Sequence, residues 1–123
     1  MGGPVIFVID DDASVRRAIR RLVSSLQHTV RLFASAEQFL AHADNGTPGC
    51  LILDMRLPGI SGLQLQKQLA DQKWNLPVIF ITAHEDPRSR DAALRAGAMD
   101  YLAKPFECEK LLQSVRSALR GQL

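Results

Sequence analysis

Short, almost purely apolar runs set between amphipathic stretches constrain this chain more than any other feature. The segments VIFVI (5–9), CLILD (50–54) and PVIFI (77–81) show little alternation of apolar and polar residues. A strand with one wet face alternates, whereas a strand covered on both faces need not, and that is the habit of parallel sheets flanked by helices. TVRLF (29–33) and DYLA (100–103) read as two further strands. Helical spacing fills the gaps. Val15, Ala18, Ile19, Leu22, Val23 and Leu26 fall on one face, and Arg16, Arg17, Arg20 and Arg21 fall on the other. Ser35 and Gln38 carry a capping-box signal ahead of a helix that buries Ala36, Phe39, Leu40 and Ala43. Three more helices are expected. One, near 62–71, buries Leu65 and Leu69; one, near 87–96, stops at Gly97; one, near 107–119, turns Leu111, Leu112, Val115 and Leu119 inward. Strand–helix alternation with short connections predicts an α/β fold, a parallel sheet with helices on both faces.

The 123 residues fit one domain, 1–123, without linker, repeat or low-complexity tract. A net charge of +2 produces no strong field for nucleic acid or membrane, so the four arginines read as the polar face of a helix. At 6% aromatic content, a base-stacking platform is poorly supplied. Cys50 and Cys108 stand far apart and outside any CxxC pattern, which argues against a disulfide scaffold or a structural zinc site. Cys50 reads as a small buried hydrophobe, and a reducing, cytoplasmic setting suits both thiols. No basic segment followed by a long apolar one opens the chain, its apolar runs are too short to span a bilayer, and Gly2 lacks the Ser or Thr of a myristoylation signal.

In open parallel sheets, ligands bind beyond the carboxyl ends of the strands, where strand order reverses. The first strand here runs into Asp10, Asp11 and Asp12, and the third ends in Asp54. The fourth ends in Thr82 and the fifth in Lys104 and Pro105. With strand order 2-1-3-4-5, Asp10, Asp11 and Asp54 converge on one cleft that Thr82 and Lys104 close. Two like charges about 4 Å apart repel by about 4 kcal/mol at an effective dielectric near 20, so three carboxylates call for a cation or protons. An all-oxygen set without His or Cys favours Mg²⁺ over zinc. A carboxylate beside Mg²⁺, a hydroxyl and a lysine is equipment for accepting a phosphoryl group as an aspartyl phosphate. Singly, each residue has a plainer reading: Asp12 as a helix cap, Thr82 and Lys104 as ordinary strand-end residues. Their concentration at successive strand ends favours chemistry.

The segments VIDDD, LILDMRLPGISGL, VIFITA and AGAMDYLAKPF together resemble the receiver domain of bacterial two-component response regulators over essentially the whole chain, with a FixJ-like flavour in FITAHEDP and AGAMDYLAKPFE. The resemblance implies a flavodoxin-like (βα)5 fold with strand order 2-1-3-4-5. It implies Asp54 as phosphoacceptor, and Asp10, Asp11, Asp54 and the Arg56 backbone carbonyl as the Mg²⁺ set. Thr82 and Lys104 would be the family's hydroxyl and lysine, Tyr101 its switch aromatic, and Lys104–Pro105 a cis peptide. Asp12 stands where many relatives carry Glu, and Arg56 and His84 occupy positions that vary in relatives; His84 reads best as a solvated loop residue. Implied partners are a sensor histidine kinase, a second copy of the chain on phosphorylation, and DNA through an output domain outside these residues, with no membrane role.

Other readings share parts of this pattern. A phosphohydrolase resembling the haloacid dehalogenase group would place its nucleophile in a DxDxT-like motif at the first strand, and DDDAS lacks that Thr. A flavin-binding module would need a phosphate loop rich in Gly, Ser or Thr, which the acidic strand ends do not offer. A receiver-like domain acting through protein contacts alone would have no use for the intact acidic set.

Overall fold

The computed structural model describes residues 3–120. Met1, Gly2 and residues 121–123 lie outside it, and with them the reading of Gly2. Five strands, β1 (Val5–Ile9), β2 (Thr29–Phe33), β3 (Gly49–Asp54), β4 (Val78–Thr82) and β5 (Asp100–Ala103), alternate with five helices. These are α1 (Ala13–Val23), α2 (Ala36–His42), α3 (Gly62–Asp71), α4 (Pro87–Arg95) and α5 (Cys108–Arg120). All pairings are parallel and the order is β2-β1-β3-β4-β5, as expected.

Side chains along each strand alternate between two cores. Phe7, Ile9, Leu51, Leu53 and Phe80 meet α2, α3 and α4 through Phe39, Leu65, Leu69 and Ala93. Ile6, Val8, Ile52, Ile79 and Ile81 meet α1 and α5 through Ile19, Val23, Leu111 and Val115. β3 and β4 are buried along their whole length, which is why they lack polar alternation. Each fully buried Leu, Ile or Phe is worth about 1.5–3 kcal/mol relative to exposure. Cys50 is buried among them, and its thiol is pushed up to about 12 by that burial, whereas Cys108 is exposed.

The structure adjusts several local expectations. α1 ends at Val23 and a 3₁₀ turn covers Ser24–Leu26. There the Ser24 and Ser25 hydroxyls donate back to the Arg21 and Leu22 carbonyls, and Gln27 stops the turn at φ 61°. Ala18 is exposed, because the buried arc of α1 centres on Ile19 and Val23 and leaves Ala18 outside it. β4 starts at Val78 rather than at Pro77, which has no N–H for the ladder. The Ser35 hydroxyl caps the Gln38 N–H, but the Gln38 side chain accepts from the Ala34 N–H, so the reciprocal half of that box goes one residue upstream. The complete capping box is Ser61 with Gln64, at the start of α3. Gly97 terminates α4 at φ 100°. No helix among the described residues is long and apolar enough to cross a membrane.

Candidate functional site

Register brings the acidic residues together. Ile9 pairs with Leu53, so the residues that follow, Asp10 and Asp54, emerge side by side at the carboxyl end of the sheet. Carboxylate oxygens of Asp10, Asp11 and Asp54 lie within 4.8 Å of one another. Asp10 is fully buried, Asp54 is 5% exposed and Asp11 is exposed, so the group opens to solvent on one side. Asp12 stands apart as the N-cap of α1: its carboxylate accepts from the Ser14 hydroxyl and N–H, and these bonds hold its pKa below the ordinary value.

Lys104 follows β5 and its ammonium donates to Asp10 Oδ2 at 2.7 Å and to Asp54 Oδ2 at 3.4 Å. Burial alone would lower the lysine pKa, but the Asp10 hydrogen bond and the charges of both carboxylates raise it, so Lys104 stays charged. Lys104–Pro105 is cis. For Asp54 the balance runs the other way. Burial raises its carboxyl pKa, the Arg56 N–H bond to Oδ1 at 3.1 Å lowers it, the Asp10 charge raises it, and Lys104 offsets part; the outcome is a raised value. A buried carboxylate held at such a cost beside two others fits a hard divalent cation. The donors are oxygens, the group is partly open, and the residues therefore suit Mg²⁺.

Thr82 and Tyr101 share the parity of Phe80, on the face toward α2, α3 and α4. The Thr82 hydroxyl is turned into the β4–α4 connection, donating to the His84 carbonyl at 3.2 Å and accepting from the His84 N–H at 3.1 Å. His84 itself is exposed. Tyr101 is already buried, and among the described residues its hydroxyl has no hydrogen-bond partner. The Arg56 side chain is exposed, while its backbone N–H faces Asp54. A separate groove of about 720 Å³ lies along β5 and α5, bordered by Arg90, Tyr101, Phe106 and Lys110.

Three residues near the site escape a local reading of the sequence. Arg16 donates to the Asp10 carbonyl at 2.7 Å and braces the turn after β1. Its signal was available: a basic residue close to the positive end of a helix is disfavoured by the dipole unless it has a partner. Glu37 of α2 accepts from the Ile60 N–H, 23 residues away. Gln66 is buried on α3, its amide donating to the Ala93 carbonyl at 3.5 Å and its Oε1 without a partner among the described residues.

Comparison with known proteins agrees with this geometry. The family described as the response regulator receiver domain matches residues 6–116. Response regulator protein TodT of Pseudomonas putida is 43% identical over 116 residues, covering 94% of this chain and 51% of that protein. The chain thus spans about half the length of the curated relatives it matches. Among solved structures, the response regulator StyR superposes with a TM-score of 0.91 at 43% identity, covering 98% of this chain and 61% of that one. FixJ-N superposes with a TM-score of 0.88 at 33% identity, covering 100% and 98% of the two chains. With the strand order, the paired acidic strand ends and these matches in agreement, the chain belongs to the response regulator receiver domain family, in its FixJ-like branch.

Proposed function

We propose that this chain is a phosphoacceptor switch, one receiver domain in which Asp54 takes a phosphoryl group from the phosphohistidine of a sensor kinase or from a small phosphodonor. The observation that carries the reading is the Lys104 ammonium bridging Asp10 and Asp54 beside a third carboxylate within 4.8 Å. Asp10, Asp11, Asp54 and the Arg56 carbonyl would hold Mg²⁺. When bound, that ion supplies positive charge against the equatorial oxygens of the transferring phosphoryl group. An Asp54 carboxylate oxygen forms the new bond to phosphorus while the bond to the donor atom breaks, and the leaving group departs with the electron pair. Lys104 moves its contact from the Asp54 carboxylate to a phosphoryl oxygen.

The Thr82 hydroxyl is the donor that answers the new charge, exchanging the His84 carbonyl for a phosphoryl oxygen. Tyr101 on the same face follows Thr82. The ring is already inside, so the step assigned to it is a shift between packings of similar energy rather than entry from solvent. A buried hydroxyl without a partner costs about 1–3 kcal/mol, which raises the energy of the observed packing relative to one in which the hydroxyl finds a partner. The readout is a changed surface around α4 and β5, recognised by a second copy of the chain, with DNA reached through an output domain outside this sequence. Function in this form is self-phosphorylation and self-dephosphorylation rather than turnover of a separate substrate, in the cytoplasm.

Incubation with acetyl phosphate and Mg²⁺ followed by mass spectrometry tests the reading. The expected product carries one base-labile phosphoryl group, on Asp54, and Asp54→Asn carries none. Equal incorporation by Asp54→Asn removes the nucleophile from this assignment.

A further inference from the structure

The loop of residues 55–61 joins Asp54 to α3, and it carries the Arg56 backbone. Its root is held from within the site. The Met55 N–H donates to the Ile81 carbonyl at 2.9 Å, the Arg56 N–H to Asp54 at 3.1 Å, and the Gly62 N–H to the Met55 carbonyl at 3.2 Å. Its tip is held from outside. Glu37 Oε2, in the first turn of α2, accepts from the Ile60 N–H at 3.1 Å. The carboxylate lies directly over Gly59: a Cβ there would stand 2.5 Å from Oε2 and 3.3 Å from the carboxyl carbon. Gly59 also has φ +75°, a conformation that favours glycine. Backbone geometry and side-chain reach thus agree on one arrangement, a glycine that makes room and an N–H that fills it. A glutamate in the first turn of a helix is already favoured by the dipole, which accounts for its position but not for the bond to Ile60.

We propose that Glu37 is a positioning residue of the acidic pocket. It pins the tip of the 55–61 loop so that Asp54 and the Arg56 main chain stand in binding order before any ion arrives. The inference rests on the reading of Asp10, Asp11 and Asp54 as a Mg²⁺ and phosphoryl site. Glu37 touches neither; it acts through the loop. Partners bonded directly to metal ligands commonly change metal affinity by about 10–100-fold when removed, and Glu37, which acts one step further off through the Ile60 main chain, falls at the low end of that range.

The test compares wild type with Glu37→Ala, Glu37→Gln, Gly59→Ala and the double variant Glu37→Ala/Gly59→Ala. Two readouts are taken: Mg²⁺ affinity by titration, and amide hydrogen exchange at Ile60 and Arg56 in metal-free protein. Glu37→Ala is expected to weaken Mg²⁺ binding by about tenfold and to speed exchange at both amides. Glu37→Gln keeps an acceptor oxygen and is expected to stay within about twofold of wild type, which separates the hydrogen bond from simple charge. Gly59→Ala drives a methyl group into the carboxylate, so it is expected to resemble Glu37→Ala, and the double variant to be no weaker than Gly59→Ala alone. Urea unfolding run in parallel separates loop effects from global ones; should Glu37→Ala fail to fold, Gly59→Ala and Glu37→Gln decide. Wild-type Mg²⁺ affinity and wild-type Arg56 exchange in Gly59→Ala and Glu37→Ala overturn the proposal, as does equal loss in Glu37→Gln and Glu37→Ala. If wild type itself binds no Mg²⁺ and accepts no phosphoryl group, the reading of the site fails instead, while Arg56 exchange in the metal-free variants still judges the loop.

Discussion

Asp54→Asn should make the metal-free protein more stable while abolishing its chemistry. Even at 4.8 Å, the bound within which the oxygens of the group lie, Asp10 repels an ionised Asp54 by about 3.5 kcal/mol at an effective dielectric near 20. Lys104 at 3.4 Å returns about 5 kcal/mol by the same rule. Lys104 thus outweighs Asp10 by about 1.5 kcal/mol, Asp11 adds a screened repulsion, and burial of the carboxylate costs several kcal/mol more, so the ionised form is net unfavourable. The direction of the Asp54 shift agrees: its carboxyl sits above the ordinary value, with burial as the first cause. Asparagine keeps the shape and an oxygen for the Arg56 N–H but sheds the charge. A gain of about 1–2 kcal/mol is expected in EDTA at neutral pH, or roughly 4–8 °C in Tm for a domain of this size. The sign with pH follows from linkage. A group whose folded pKa is raised opposes folding once ionised, so the gain is present at neutral pH, fades as pH falls through the raised folded value, and is gone below 3.8, where the carboxyl is protonated in both states. Mg²⁺, on the proposed reading of the site, is expected to reverse the order. At a hundredfold excess over its Kd it stabilises wild type by about 2.7 kcal/mol and the variant by less. Urea denaturation across pH, with EDTA or Mg²⁺, reads all of this. A variant no more stable than wild type in EDTA at neutral pH would refute the electrostatic account of the cleft.

Lys104→Met leaves Asp10 fully buried without its 2.7 Å partner, and should cost about 3–5 kcal/mol in EDTA and less in Mg²⁺, by urea denaturation. Gly62→Ala places a methyl group on the Asp54 carbonyl oxygen and against Met55 Cα, with only backbone to give way; about 1–3 kcal/mol of stability and some Mg²⁺ affinity should be lost together. A thiol reagent at mildly alkaline pH should label Cys108 alone, with Cys50 labelled only after urea is added, as peptide mapping would report.

The strands were legible because burial on both sides removes the polar residues that would otherwise interrupt CLILD and VIFI. The acidic cleft was legible for the opposite reason: Asp10 and Asp54 are charges set at the ends of apolar runs, where folding alone has no use for them. Parallel register then does the assembly, since neighbours in the sheet end at one level. What stayed hidden depends on long reach or on rotamer. Glu37 meets Ile60 across 23 residues, and no local period announces that. Gln66 sits among leucines in α3 and reads as a polar-face residue until the approach of α4 covers it. Tyr101 could be assigned a role from its place in the motif, but that its ring lies inside is a matter of rotamer and tertiary packing that no local pattern announces. Ala18 is small enough to satisfy either face of a helix.

If Thr82 answers the phosphoryl group as proposed, its engagement with His84 is the contact that a new anionic oxygen has to displace. Each of those neutral bonds is worth about 0.5–1.5 kcal/mol net, and a bond to an anionic oxygen roughly twice that. On the proposed reading, an anion that only visits the cleft draws the hydroxyl away from the main chain for no more than the fraction of time the cleft is occupied. A dianion fixed by a covalent bond would occupy the cleft continuously, so the turn after β4 would weigh a durable message above passing ionic noise.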